Sequence, residues 1–341
     1  MNNLFRWLSM VVLFLIFITF GFYLWASSPN YSIKEYSKIY HNNNSQKTKN
    51  DSVFSIVTYN IGYLSGLTNN TSTKNQKSFF DNNLQLVLDQ FKIIDADILA
   101  FQEIDYASKR SFNVNQQNEI AKLGYDHIGQ AINWDKKYIP YPEFPISSHY
   151  GRILSGQSIL SKFKITNQDR FELERDKSNP FYYDAFYIDR LAQVVKINIK
   201  DKVLVLINVH IEAYNQDTRL KQTKKVIEIY NRYKNVYPII LLGDFNSDIK
   251  FENATIDLLL NVPELGNAVF DKNNYPKTYN SENPTKRLDY IFYNKNYITF
   301  IDGEVLNDFK QASDHLPLLM KFKFKQKNGK SYNTKLSGIK L

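Results

Sequence analysis

Side chains able to do chemistry lie at the ends of short apolar runs in this 341-residue sequence. They are carboxylates, amides and imidazoles, which bind hard cations and transfer protons. Because loops at strand ends display functional residues on a rigid scaffold, we expect them to share one cleft. Six places carry them: Thr58-Tyr59-Asn60, Gln102-Glu103, Asn208-Val209-His210, Gly243-Asp244-Phe245-Asn246, Arg287-Leu288-Asp289-Tyr290 and Ser313-Asp314-His315.

Each place also has a purely structural explanation. Gly-Asp-Phe-Asn is good turn sequence, and Asp289 could pair with Arg287. Asn60 could end a strand, Glu103 could be a surface carboxylate, and His315 could cap a strand. All six together are much less expected by chance than any one of them, so the combination indicates function.

The ordered set resembles the endonuclease/exonuclease/phosphatase superfamily, which includes DNase I-like nucleases, abasic-site endonucleases, bacterial sphingomyelinases and inositol polyphosphate 5-phosphatases. GDFN followed at a distance by SDH is the most specific part of the match, whereas TYNI alone would be weak. The resemblance covers roughly residues 53–324. It implies an α+β fold, a four-layer α/β/β/α sandwich of two mixed β-sheets flanked by helices. The matching motifs are TYNI (58–61), QE (102–103), GQSILSKF (156–163), DRLAQ (189–193), NVH (208–210), DTRLKQ (217–222), GDFN (243–246), RLDYIF (287–292) and SDH (313–315).

The same resemblance implies hydrolysis of a phosphate ester by metal-assisted, in-line attack of water. Glu103 would be the main metal ligand, with Asn60 beside it and Asp314 close by. Hard oxygen ligands select Mg²⁺, or alternatively Mn²⁺ or Ca²⁺. We expect at least one divalent ion.

The resemblance also implies the catalytic roles. Asp244 would orient or deprotonate the attacking water, and Asn246 would hold the phosphate or that water. His315 would contact a non-bridging phosphate oxygen, while Asp289 fixes its tautomer and raises its pKa. His210 would act on the leaving group, and its presence argues against the abasic-site branch.

Two substrate contacts stay open at the level of sequence. Tyr150, with His149 and Arg152, lies in a Pro- and aromatic-rich loop predicted over 138–152, which either touches substrate or is only a structured loop. Arg190 either supports the phosphate or forms a structural salt bridge.

Hydrophobic periodicity predicts the elements that position these residues. Strands alternate with amphipathic helices, an order that suits two packed sheets. The predicted helices cover 78–94, 116–123 and 217–233, the last with Asp217 as N-cap. The predicted strands cover 53–60, 97–101, 157–161, 191–199, 202–209, 238–243, 288–293 and 318–325.

An uncharged apolar stretch over 7–26 is long enough to cross a hydrocarbon core of ~30 Å. Arg6 places the preceding residues, 1–6, in the cytoplasm by the positive-inside rule. A signal sequence cleaved after Ser28 is the alternative, although Pro29 would then start the mature chain. Either way the catalytic domain, predicted over 52–325, is extracytoplasmic. Residues 27–51 are predicted to be a linker and 326–341 a basic tail.

Charge and composition limit the partners. The net charge is +9, of which residues 321–341 carry +7 and residues 1–50 carry +4, so that −2 is left for residues 51–320. A basic stripe for nucleic acid is therefore not evident in the body of the chain. The absence of cysteine excludes thiolate chemistry and disulfides. We expect a monomer acting on a phosphodiester, with a lipid head group favoured, nucleic acid as the alternative and a non-catalytic binding module as a remote one.

Overall fold

The computed structural model describes residues 2–42, 52–142, 144–271 and 275–326. Its helices are α1 Asn2–Ser27, α2 Lys77–Ile94, α3 Gln116–Ala121, α4 Phe181–Asp184, α5 Gln216–Tyr233 and α6 Asp257–Leu260. Its strands are β1 Ser37–His41, β2 Phe54–Asn60, β3 Ile98–Asp105, β4 His127–Ile139, β5 Gly151–Ser161, β6 Lys164–Glu172, β7 Leu191–Ile199, β8 Lys202–His210, β9 Ile239–Asp244, β10 Leu265–Asn267, β11 Asp289–Asn294, β12 Ile298–Val305 and β13 Leu318–Phe324.

The strands form two mixed sheets. The first has the order β1-β4-β5-β3-β2-β13-β12, and the second has the order β10-β11-β9-β8-β7-β6. Each sheet contains one parallel pair, β2 with β3 and β8 with β9, among antiparallel neighbours. The carboxyl ends of a parallel pair lie at one edge of a sheet, so each sheet offers one edge where two strand ends meet.

Three apolar clusters divide the molecule into four layers. The middle cluster, with Ile56, Ile98 and Leu206, lies between the two sheets. A second cluster packs α2 and α3 against the outer face of the first sheet, and a third packs α5 and α6 against the second. Central strands therefore bury both faces, which explains their nearly continuous apolar runs. The predicted α/β/β/α sandwich is confirmed.

Several element boundaries differ from the sequence prediction. Strand β3 continues past Phe101 to Asp105 through a register shift between Phe101 and Ile104, which hydrophobicity alone did not reveal. The loop predicted over 138–152 is shorter, because β4 runs to Ile139 and β5 begins at Gly151. The N-cap of α5 is Asn215, whose side chain accepts from the Thr218 N–H, and not Asp217.

The linker prediction for residues 27–51 is wrong for its described part. Strand β1 pairs antiparallel with β4, and the backbone N–H groups of Asn30 and Tyr31 donate to Asp135 at 2.9 and 2.8 Å. These residues therefore belong to the folded domain. The basic tail predicted over 326–341 lies almost wholly outside the described residues. Helix α1 contains one segment, Asn3–Ser27, long and apolar enough to span a membrane, as a signal sequence also can be.

Candidate active site

The predicted residues meet where the two sheets bring their parallel pairs together. Asn60 ends β2 and Asp244 ends β9. The Asn60 amide donates to Asp244 Oδ2 at 3.0 Å and approaches Glu103 Oε1 at 3.4 Å. Asp289 begins β11 directly opposite Asp244 in the strand register. Ends of three strands, β2, β9 and β11, therefore place their polar side chains in one buried pocket.

Two motif residues hold the sheets together beneath this pocket. The Gln102 amide donates to Asn208 Oδ1 at 2.6 Å, and the Asn208 amide donates to the Phe101 carbonyl at 3.0 Å. Both side chains are fully buried, where an unpaired amide would be costly, so they fix β3 against β8. Gln102 and Asn208 thus position the neighbouring Glu103 and His210.

Glu103 lies at the irregularity of β3 with a φ of 51°, a left-handed backbone conformation that non-glycine residues rarely adopt. The register shift turns its carboxylate into the pocket. Asn69 donates to Oε2 at 2.9 Å, and His210 Nε2 lies 3.6 Å from Oε1. Burial, followed by the nearby carboxylate of Asp314, raises the pKa of Glu103.

Strand β9 passes so close to the Val209 backbone of β8, just before Asp244, that position 243 must be a glycine. This residue has a φ of +132°, and a Cβ atom there would lie 2.0 Å from the Val209 carbonyl oxygen. Asp244 Oδ1 then accepts from the backbone N–H of Asn246 at 2.9 Å, while the Asn246 amide donates to the Ile211 carbonyl at 3.1 Å. Burial raises the pKa of Asp244 to about 7, although His315 opposes the shift.

His315 and Asp289 form a buried pair. His315 Nδ1 lies 2.8 Å from Asp289 Oδ2, and Nε2 lies 3.8 Å from Asp244 Oδ2. Burial would lower the pKa of His315, but the carboxylates of Asp289 and Asp244 raise it well above its ordinary value. Arg287 donates to backbone carbonyls, including that of Asp289, so the Asp289 carboxylate is directed to the imidazole and not to the arginine.

His210 has the opposite electrostatics. Arg190 Nη1 donates to His210 Nε2 at 2.5 Å, which requires an unprotonated nitrogen there. Burial, then the charges of Arg190 and His315, lower the pKa of His210 well below its ordinary value. Arg190 Nε also lies 3.5 Å from Glu212 Oε2, so the salt bridge expected as the structural alternative for this arginine is present. His210 is thus held neutral beside a fixed guanidinium.

The residues present fit a hard divalent cation. Asp314 Oδ1 lies 3.4 Å from the Asn69 amide that also binds Glu103, so the two carboxylates face one space. Their oxygens and that of Asn60 are the donors that Mg²⁺ or Ca²⁺ prefers. Asp244, Asp289 and His315 also place ligand atoms within 4.8 Å of one another. Because His315 Nδ1 is already paired with Asp289, the group of Asp244, Asp289 and His315 is better explained as a way to orient the imidazole than as a cation site.

Tyr150 belongs to an aromatic wall of the pocket. Its ring lies 6.4 Å from that of Trp134 and 5.3 Å from that of Tyr141. Burial raises its pKa to about 12, and Glu103 is near enough to contribute. Arg152 instead donates to the Ala107 carbonyl, which gives it a structural role in the loop.

The sequence prediction missed four pocket residues: Asn69, Tyr187, Glu212 and Tyr279. The Tyr187 hydroxyl donates to Glu212 at 3.3 Å, and Glu212 is the carboxylate that pairs with Arg190. The Tyr279 ring lies 5.0 Å from the His315 imidazole. All four lie outside the strands that end at the site, in connecting segments whose sequence carries no strand-end pattern. Only their place in the fold reveals them.

Two mixed sheets between helices, with an acid- and imidazole-lined pocket at their carboxyl edges, define the DNase I-like fold class. The chain belongs to the endonuclease/exonuclease/phosphatase family, whose model matches residues 57–315. No curated protein matches the chain.

Solved structures with this fold cover most of the chain. A family member from Beutenbergia cavernae has a TM-score of 0.59 at 14% identity, covering 80% of this chain and 72% of its own. The human Nocturnin catalytic domain with bound sulfate has a TM-score of 0.56 at 17% identity, covering 87% and 100%. A mannosyl-6-phosphatase from Bacteroides thetaiotaomicron has a TM-score of 0.56 at 16% identity, covering 80% and 100%.

Proposed function

We propose that this chain hydrolyses a phosphodiester with the help of a divalent metal ion outside the cytoplasm. The observation that carries the proposal is the convergence of Glu103, Asp244, His210 and His315 in one buried pocket, with imidazole-to-carboxylate separations of 3.6 to 3.8 Å. The family membership supports phosphoric ester hydrolysis as the reaction type. A non-catalytic module would not need to bury these acids together, since burial of charge is costly.

Glu103, Asn60 and Asp314 would hold the ion, which when bound neutralises phosphate charge as a Lewis acid. Mg²⁺ is the first choice, with Mn²⁺ or Ca²⁺ as alternatives. The Oδ1 atom of Asp289 is buried and accepts no hydrogen bond from the described residues. The pocket therefore has a further carboxylate oxygen that could accept a hydrogen bond from substrate or water.

Two buried groups with displaced pKa values act on the attacking water and on the phosphate. Asp244, with a pKa of about 7, can accept a proton from the attacking water near neutral pH. Asn246, fixed to the Asp244 carboxylate through its backbone N–H, would orient that water or the phosphate. Protonated His315 presents its Nε2–H to a non-bridging phosphate oxygen, while Asp289 holds the ring through Nδ1.

The geometry does not favour the predicted action of His210 on the leaving group, and it supports a different role. Its Nε2 accepts from Arg190, so a proton on that nitrogen would oppose the guanidinium. We therefore propose that His210 orients Arg190 toward the phosphate. Arg190 also pairs with Glu212 and donates to the Tyr187 hydroxyl, which keeps the guanidinium fixed as a positive charge beside the phosphate.

A lipid head group is the favoured substrate and nucleic acid is the alternative. Residues 51–320 carry a net charge of −2, which disfavours unspecific binding of a polyanion. Helix α1 would anchor the chain in a membrane, with cleavage as a signal sequence as the alternative. We expect a monomer.

The test is a substrate screen with the full chain in detergent. Sphingomyelin, a phosphoinositide and plasmid DNA are each supplied with Mg²⁺ and then with excess EDTA. We expect EDTA-sensitive lipid turnover that Asp244→Ala and His315→Ala each reduce by orders of magnitude. Plasmid nicking without lipid turnover would select the nuclease alternative, and turnover unaffected by either substitution would refute the assigned roles.

A further inference from the structure

Large apolar and aromatic side chains lie exposed on segments around the pocket. Phe144 and Ile146 are 80% and 67% exposed in the loop between β4 and β5. Phe181 is 75% exposed at the start of α4, and Tyr214 is 77% exposed after β8. We call these four residues the rim. Several such side chains in neighbouring loops mark a contact surface rather than isolated surface residues.

The rim is in contact with the last turns of α1. The Tyr23 and Phe181 rings lie 6.2 Å apart, and Tyr23 Oη donates to the Phe181 carbonyl at 3.4 Å. The Phe22 ring lies 5.7 Å from that of Tyr138, directly before the loop that carries Phe144. Lys136 Nζ donates to the carbonyl of Ser27, the last residue of α1, at 3.1 Å. The helix therefore leaves the domain at a fixed place beside the rim.

The rim also adjoins the pocket. On one side the Tyr183 ring, in the same short helix as Phe181, lies 5.3 Å from that of Tyr187, whose hydroxyl contacts Glu212 at 3.3 Å. The Arg190 guanidinium donates to the same Tyr187 hydroxyl at 3.3 Å. One layer of aromatic side chains therefore separates the exposed rim from the proposed phosphate-binding arginine.

A second chain of contacts enters from the opposite loop. The Tyr141 ring, 37% exposed, packs 5.3 Å from Tyr150, which forms the inner wall of the pocket. The backbone N–H of Tyr214 donates to Glu212 Oε1 at 2.9 Å, so this rim residue lies beside the carboxylate that pairs with Arg190 in the pocket. The mouth of the pocket thus opens among the rim residues, on the side from which α1 leaves.

A bilayer is the partner that this arrangement fits. The most apolar window of α1 is 0% buried against the rest of the chain, so it requires an apolar environment. Tyr23 and Trp25, at its end, are residues that favour the membrane–water interface, and rim aromatics packed beside them lie at a similar depth. Lys74 Nζ donates to the Ser147 carbonyl at 2.6 Å in the Phe144 loop, which adds a cation suited to anionic head groups.

We propose that the rim and the end of α1 form one bilayer-facing surface, which presents the active site to head groups in the leaflet from which α1 emerges. This inference rests on the proposed function for its substrate, but the surface itself can be tested without any substrate. It predicts hydrolysis in cis, within the membrane that holds the chain.

The surface is tested by single-cysteine labelling, for which the chain is suited because it contains no cysteine. Phe144→Cys, Phe181→Cys and Tyr214→Cys are labelled with NBD in the full chain and reconstituted into nanodiscs of phosphatidylcholine with a minority of phosphatidylglycerol. Controls are Ile93→Cys and Val236→Cys, which are 76% and 60% exposed at the opposite end of the strands. NBD emission from the rim labels should be about two-fold or more higher than emission from the control labels in the same nanodiscs. Emission equal to that of the controls overturns the proposal.

The cis geometry is tested with two vesicle populations. The unaltered chain is reconstituted into one population, and head-group-labelled sphingomyelin is placed either in the same vesicles or in protein-free vesicles. Turnover should be about 10-fold or more faster in cis, because the surface holds the mouth against its own bilayer. Equal rates would overturn the cis geometry.

Hydrolysis of soluble bis(p-nitrophenyl) phosphate is measured in parallel to separate the two proposals. Its absence in the unaltered chain would count against the proposed function, while the NBD labels would still decide on the surface. Its presence together with water-exposed rim labels would leave the hydrolase proposal standing and refute the bilayer-facing surface.

Discussion

Asp289→Asn removes the charge that holds His315 protonated while leaving the shape of the pair nearly unchanged. The two groups are hydrogen-bonded at 2.8 Å, and both are buried. Opposite charges about 4 Å apart interact by ~4 kcal/mol at an effective dielectric constant near 20. Loss of this attraction should lower the pKa of His315, and because ~1.4 kcal/mol is a factor of ten in a protonation equilibrium, the protonated fraction above that pKa should fall by ~10²- to 10³-fold.

The expected consequence is a change in the pH profile of turnover. In the unaltered chain His315 keeps its proton well above pH 6.5, because its pKa is raised above that ordinary value. In the variant the imidazole loses its proton at lower pH, so kcat at pH 8 should fall by ~10²- to 10³-fold. Turnover should recover by about ten-fold for each pH unit as the pH is lowered towards 7, below which protonation of Asp244, with a pKa of about 7, opposes further recovery.

The assay is hydrolysis of a soluble phosphodiester between pH 5 and 9, combined with ¹³C-histidine NMR of the five histidines in the chain. Asp248→Asn is the matched control, because Asp248 is a buried carboxylate that accepts from Tyr275 and from the Arg287 N–H without contacting a histidine. It should lose stability but keep the pH profile. An Asp289→Asn enzyme with an unshifted profile and a kcat within a few-fold of normal would refute the reasoning.

The other predictions concern the ion, the base and the backbone. Asp244→Asn should lower kcat by ~10³-fold with little change in KM, as measured by steady-state kinetics. Glu103→Gln should weaken the apparent Mg²⁺ affinity by about 100-fold in a metal titration of activity, with partial recovery at high Mg²⁺. Because the pKa of Asp244 is raised from 3.8 to about 7, ion-free stability should fall as the pH rises between these values. Mg²⁺ binding at pH 6 should then release about one proton, which calorimetry in two buffers detects. Gly243→Ala, whose new Cβ would lie 2.0 Å from the Val209 oxygen, should destabilise the fold by ~4 kcal/mol in denaturant unfolding, whereas Gly21→Ala meets nothing within 4 Å and should not.

The family resemblance implied the four-layer sandwich, and short-range signals in the sequence located several of its strands and most of the pocket. Apolar runs locate the buried strands, and polar residues at their ends reveal Asn60, Asp244 and Asp289. Strand β4 was missed because its residues include Asn133, Asp135 and two lysines, which break the apolar pattern. Its pairing with β5 depends on long-range contacts that no local window records.

The chemistry of the two histidines could not be separated from sequence either. His210 and His315 both follow or precede an apolar strand, yet one is held neutral by Arg190 and the other is held protonated by Asp289. Arg190 lies 20 positions before His210, and Asp289 lies 26 positions before His315. Both partners are therefore too far along the chain for a local pattern to reveal them. Sequence spacing predicted that the imidazoles meet, whereas only the fold shows which charge each one faces.

Strand β1 has a practical consequence for anyone trimming this chain. It covers the outer edge of the first sheet and is tied to Asp135 through Asn30 and Tyr31. A fragment begun at residue 52 would leave the long β4 as a bare edge, which is a template for self-association. The appropriate place to cut is therefore ahead of Asn30, between the helix and the first hydrogen bonds that close the sheet.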